Sequence, residues 1–95
     1  MASGLGTATI DFGVGANEAS VAVTGQTSIS ATSKAESFIM ADDTSGTHTA
    51  SDHRYFDVLA GLTCGTPSAG IGFTIYATST QKLNSTFQVR WVWAD

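Results

Sequence analysis

The stretch Phe87–Trp93 (FQVRWVW) decides the fold, because large apolar side chains occupy every second position along it. A period of two over this length predicts a β-strand with one buried face. That face would carry Phe87, Val89, Trp91 and Trp93. Two tryptophans are costly to leave in water, so the strand is expected to pack in the core or at an interface. Arg90 points the other way and is a candidate for an interface hydrogen bond or ion pair.

Glycine-rich turns separate further short runs rich in Val, Ile, Thr and Phe. The predicted strands are Thr7–Phe12, Ala19–Thr24, Lys34–Met40, Tyr55–Leu62, Ile71–Thr78 and Ser85–Trp93. Ile71, Phe73 and Ile75 are expected to point inward, with Phe73 and Ile75 facing the tryptophan strand. No segment shows a clear 3.6-residue period, so no helix longer than about two turns is expected. The prediction is an all-β fold, an antiparallel β-sandwich of about six to eight short strands.

The length of 95 residues suits one domain with a modest core. Residues 1–6 contain two glycines and are predicted to form a flexible N-terminal arm. Residues 7–95 are predicted to form a single β-sandwich domain, with a polar loop over Ala41–Asp52.

Charged residues make up only 13% of the chain, against about 25% in typical globular proteins. A hydroxyl-rich surface with few charges is typical of proteins covered by neighbouring subunits, although a threonine-rich β-protein would also have it. The net charge is −4, and the four basic residues form no run. Neither nucleic-acid binding nor electrostatic membrane binding is therefore expected. Cys64 is the only cysteine, which suits folding in a reducing cytoplasm and excludes an intrachain disulfide.

The most conspicuous polar cluster lies in and after the predicted loop. It contains Asp42, Asp43, His48, Asp52, His53 and Asp57. Imidazoles and carboxylates are ligands for divalent ions, so His48, Asp52 and His53 are candidates for a metal site or for a metal-dependent enzyme. Their spacing matches no metal signature, and a solvated loop whose Asp side chains cap turns explains them better. No cofactor, metal or catalytic activity is expected.

Exposed aromatic rings are the other candidate binding feature, because sugars stack on them. Trp91, Trp93, Tyr55 and Tyr76 would be available for this role. The two tryptophans share the buried face of their strand, so Tyr76, which is opposite in parity to Phe73 and Ile75, is the better candidate.

Five segments together resemble a group of small virion-associated proteins of tailed bacteriophages. They are Ala8–Gly13, Val21–Thr27, Glu36–Ala41, Gly70–Ala77 and Val89–Trp93, and the group also tends to carry histidines near His48 and His53. A second resemblance, to the six-stranded sandwiches of H-type lectins, is confined to Gly72–Ile75 and Arg90–Trp93.

The first resemblance implies a virion structural protein made in the bacterial host cytoplasm, namely a decoration or cement protein that stabilises the head by packing. Its expected partners are itself, as a dimer or trimer, and the phage major capsid protein. The second resemblance implies the alternative, a carbohydrate-binding module of a phage tail or fibre with a glycan as its partner.

Overall fold

The computed structural model describes residues 2–40 and 49–95. Two three-stranded antiparallel sheets pack face to face, which confirms the predicted all-β sandwich. The elements are β1 (Ser3–Asp11), β2 (Ala16–Val23), β3 (Lys34–Ile39), α1 (Ala50–Leu59), β4 (Ala60–Cys64), β5 (Phe73–Leu83) and β6 (Thr86–Ala94). The first sheet has the order β1-β6-β3, and the second sheet has the order β2-β5-β4.

The central strand of the first sheet, β6, buries every second side chain. Phe87, Val89, Trp91 and Trp93 are all buried, and the residues between them face outward or lie half-buried. The central strand of the second sheet, β5, faces them with Phe73, Ile75 and Ala77. The core is therefore the contact between two alternating strands, as the pleat of a β-sheet requires.

The chain from Ser3 to Gly6 is part of β1, so the prediction of a flexible arm over residues 1–6 is wrong there. Gly4 pairs with Trp93 and Gly6 pairs with Trp91 in the antiparallel ladder. A Cβ added at Gly6 would lie 2.6 Å from Cζ2 of Trp91, and one at Gly4 would meet the indole of Trp93. The two glycines therefore serve close packing within the sheet, because their missing side chains leave room for the two indoles.

The predicted strand Tyr55–Leu62 is also wrong, because α1 continues to Leu59 and strand β4 begins only at Ala60. The helix has ten residues, nearly three turns, so the expected limit of two turns is exceeded. A capping box starts it: Asp52 N–H donates to the Thr49 hydroxyl, and Thr49 N–H donates to the Asp52 carboxylate. The buried side chains are His53 and Phe56, whose spacing of three places them on one helix face.

Two large apolar side chains, Ile71 and Phe38, lie on the outer surface. Ile71 was expected to face the core, but it precedes β5 and is exposed. Phe38 lies on the outer side of β3 together with Lys34 and Glu36, because the inner side of this strand carries Ala35, Ser37 and Ile39. The predicted loop residues 41–48 lie outside the described part of the chain.

Candidate interaction surfaces

The predicted core or interface residues are brought together inside the sandwich. Phe73 packs edge-to-face on Trp91 with ring centroids 5.6 Å apart. Trp93 is buried as well, and its indole N–H donates to Oε1 of Gln26 at 2.9 Å. A buried indole needs such a partner for its N–H. Neither tryptophan ring is open to solvent, so neither offers a surface for sugar stacking.

The outer face of the first sheet is the more apolar of the two outer sheet faces. Three rows of side chains cross it in register: Leu5, Val92 and Glu36; then Thr7, Arg90 and Phe38; then Thr9 and Gln88. Leu5 is 66% exposed and Phe38 is 49% exposed. Arg90 is exposed at the centre of this face, between Thr7 and Phe38. We call these residues the first outer face.

The outer face of the second sheet carries Tyr76 among small and hydroxyl-bearing residues. Ser20 and Thr63 are its partners in β2 and β4, and Tyr76 is 48% exposed. The ring leans over Gly65, whose added Cβ would lie 3.3 Å from Cε2 of Tyr76. A depression of about 420 Å³ next to the ring is lined by Glu18, Ser20 and Thr78 among others. We call this surface the second outer face.

One histidine of the predicted polar cluster, His53, forms hydrogen bonds that join α1 to β6. His53 is fully buried, and its Nε2 accepts the backbone N–H of Gln88 at 2.9 Å. A backbone N–H can only donate, so Nδ1 carries the proton and donates to the Thr49 carbonyl oxygen at 2.8 Å. Met40 N–H donates to the Gln88 carbonyl on the same side of β6. If the ladder between β3 and β6 continued, the Met40 carbonyl oxygen would accept the Gln88 N–H. His53 Nε2 accepts this N–H instead.

Of the other members of the polar cluster, Asp52 and Asp57 lie in the described residues, and they form no metal-binding group of three with His53. Asp52 accepts the Thr49 N–H in the capping box, and Asp57 is exposed on α1. Asp42, Asp43 and His48 lie outside the described residues. Over residues 2–40 and 49–95, no three His, Cys, Asp or Glu side chains lie close enough to hold a metal ion together.

Among residues 2–40 and 49–95, the side chains of Cys64 and Asp95 have shifted pKa values. Burial raises the pKa of the Cys64 thiol, and the nearby Glu36 carboxylate raises it further, so this thiol stays protonated at neutral pH and is a poor nucleophile. The pKa of Asp95 is lowered because its carboxylate accepts the Ala2 backbone N–H at 3.0 Å and the Ser33 hydroxyl at 2.8 Å. Hydrogen bonds to the ionised form explain that direction.

The sequence reasoning missed Phe38 and Leu5 as surface residues. The signal was present in β3, where Phe38 shares its parity with Lys34 and Glu36, because charged side chains mark the face that is open to water. The predicted flexible arm contains Leu5, so the sequence gives this residue no face.

In the described part of the chain, α1 is too short and too polar to cross a membrane.

Comparisons with known proteins add no relative: no family model, no curated protein and no solved structure matches the chain.

Proposed function

We propose that the chain is a structural protein of a bacteriophage virion, a decoration protein that binds the major capsid protein and stabilises the head by packing. The observation that carries this proposal is the first outer face. Leu5 and Phe38 are exposed large apolar side chains in neighbouring rows, and Arg90 between them offers hydrogen-bond donors. Aromatic side chains and arginine are the residues that contribute most at protein–protein interfaces.

The mechanism is linkage rather than catalysis. A protein that binds the assembled shell but not the free capsid subunit lowers the free energy of the shell by mass action. The few charges of the chain fit this role, since fewer charged groups lose their hydration when a sheet face is covered. The localisation that follows is the virion, after synthesis in the bacterial host cytoplasm.

The test is co-sedimentation of purified protein with capsids of the phage that encodes it. Phe38→Glu should lower particle occupancy at least tenfold, because it replaces an apolar contact of the covered face with a charge. Val58→Glu is the matched control: Val58 is 81% exposed on α1 and is not part of the first outer face, so its variant should bind as the wild type does. Equal occupancy of both variants, or a chain that never sediments with capsids, contradicts the proposal.

A second candidate function, glycan binding in a phage tail or fibre, is favoured by the second outer face. An exposed tyrosine ring flanked by hydroxyl groups and a carboxylate offers stacking and hydrogen bonding to a neutral sugar. Tyr76→Ala should abolish glycan-array binding while the protein stays folded, with only a small change of the melting temperature. Retained glycan binding in Tyr76→Ala excludes this face, and glycan binding combined with no capsid binding favours this candidate over decoration.

A further inference from the structure

The free edge of β1 exposes a regular set of backbone hydrogen-bonding groups. Asp95 N–H donates to the Ala2 carbonyl, and Phe12 N–H donates to the Ser85 carbonyl, so even-numbered residues of this segment point their backbone groups at β6. The alternation of an antiparallel ladder then turns the odd-numbered residues to the free edge. These are Ser3, Leu5, Thr7, Thr9 and Asp11, and all five are exposed. No backbone group in residues 2–40 or 49–95 pairs with this edge.

β1 also lacks the devices that protect edge strands. Natural edges are kept from pairing by charges, prolines, bulges or short length. β2 has a register shift between Ala16 and Glu18, and β3 carries Lys34 and Glu36. β4 has only five residues. β1 has nine residues, no proline, no bulge in its ladder and no charge before Asp11.

We infer that β1 pairs antiparallel with β1 of a second copy of this chain, about a two-fold axis at Thr7. The two first sheets then form one continuous six-stranded sheet. In this register Ser3 lies opposite Asp11 of the second copy, Leu5 lies opposite Thr9, and Thr7 lies opposite Thr7. All five edge residues of each copy exchange their N–H and C=O groups, which is the largest number that the strand allows.

The side chains fit this register. No two like charges face each other, because Asp11 meets a serine hydroxyl that can donate to its carboxylate. Leu5, 66% exposed in the single chain, packs beside a threonine methyl, and threonine pairs are favourable across strands. The inference goes beyond the proposed capsid binding and gives a geometry to the self-association that the phage resemblance implies. It is tested on purified protein without any capsid, so its failure is separate from a failure of capsid binding.

The experiment introduces a positive or a negative charge at Thr7, on the two-fold axis. The molecular mass is measured by light scattering after gel filtration. Wild-type protein should have the mass of two chains. Thr7→Lys and Thr7→Glu should each have the mass of one chain, because each places two like charges opposite one another. An equimolar mixture of these two variants should recover the mass of two chains. Thr78→Lys, on the exposed outer face of the central strand β5, is the matched control and should remain a dimer.

Folding of each variant is checked by the fluorescence of the buried tryptophans, so an unfolded variant is not mistaken for a monomer. Amide hydrogen exchange gives a second readout that needs no substitution: Leu5, Thr7 and Thr9 should become at least tenfold more protected as the protein is concentrated. A wild type that stays monomeric, a Thr7→Lys variant that stays dimeric, a mixture that stays monomeric, or edge amides that exchange equally at all concentrations would each overturn the inference.

Discussion

The two ends of β6 are closed in opposite ways. At one end Trp91 and Trp93 fill the space left by Gly4 and Gly6 of the neighbouring strand. At the other end Phe87 is covered by α1, with the Phe56 ring centroid 4.3 Å from its own and the His53 ring at 5.3 Å. We call these the tryptophan end and the helix end.

The difference lies in what holds each end. The tryptophan end depends on shape, because large side chains fit where side chains are missing, and one hydrogen bond from Trp93 to Gln26 serves the indole N–H. The helix end depends on a polar anchor, because His53 joins the start of α1 to the backbone of β6. Shape complementarity is sensitive to added volume, whereas a polar anchor is sensitive to the loss of a single donor or acceptor.

The largest effect is expected at the tryptophan end. Trp93→Ala should lower the free energy of unfolding by about 3–5 kcal/mol. The substitution leaves a cavity and removes the indole N–H that donates to the side-chain Oε1 of Gln26. Tyr76→Ala, which removes a half-exposed ring from the other central strand, should cost less than about 1.5 kcal/mol and is the control. Urea unfolding followed by the remaining tryptophan fluorescence measures both. Equal losses would show that burial does not distinguish the two aromatics.

The next effect concerns the anchor at the helix end. His53→Phe keeps an aromatic ring but leaves the Gln88 N–H without its acceptor. It also removes the side-chain donor to the Thr49 carbonyl, which keeps only the backbone N–H of residue 53. A loss of about 2–3 kcal/mol is therefore expected. Arg54→Phe, an exposed neighbour on the same helix, should change stability by less than about 0.5 kcal/mol. Thermal unfolding of the two variants checks this. If His53→Phe is as stable as the wild type, the helix end is held by shape as well.

A smaller effect tests the fit of glycine to indole. Gly6→Ala should cost about 1–3 kcal/mol, because its Cβ meets the six-membered ring of Trp91. In a Trp91→Phe background those indole atoms are absent, so the same substitution should cost at least about 1 kcal/mol less. A double-mutant cycle by urea unfolding measures the coupling. A coupling near zero would mean that the glycine is needed for another reason.

The smallest effect concerns Asp95, which joins Ala2 and Ser33 near the tryptophan end. The folded-state pKa of this carboxyl is lowered, so its stabilising contribution is present above the unfolded-state pKa and is lost as pH falls through the folded value. Below about pH 4, wild type should therefore lose stability faster than Asp95→Asn, which has no charge to lose. Parallel stability curves for the two proteins would contradict this.

The sequence predicted the tryptophan end better than the helix end. The period of two in β6 and β5 is produced by burial on one face of a pleat, so it can be read from one strand at a time. Gly4 and Gly6 follow the same period, but a missing side chain gives no apolar signal, and glycines near a terminus indicate flexibility instead. Their role depends on the partner strand, which lies far away along the chain.

The helix was missed because its signals are short and polar. Thr49 and Asp52 form a capping box inside a stretch of Ser, Thr and Asp that also suits a turn. Only His53 and Phe56 are buried on α1. Because histidine is a polar residue, its burial leaves no apolar helix period in the sequence. The exposure of Phe38 on the first outer face could have been predicted from the sequence, because Phe38 shares its parity with the charged Lys34 and Glu36. The second outer face was anticipated at Tyr76, whose exposure follows from its parity in β5.

The position of β6 between β1 and β3 has a kinetic consequence. Residues 3–11 and 34–39 do not pair with each other, so neither can form a sheet until residues 86–94 lie between them. Closing the long loop from β1 to β6 costs entropy before any ladder bond repays it. Chains with such distant pairings fold on the slow side, from milliseconds to seconds. During that interval β1, which has no charge before Asp11, has neither of its edges paired. Chaperone binding or aggregation during refolding should therefore concentrate on this strand.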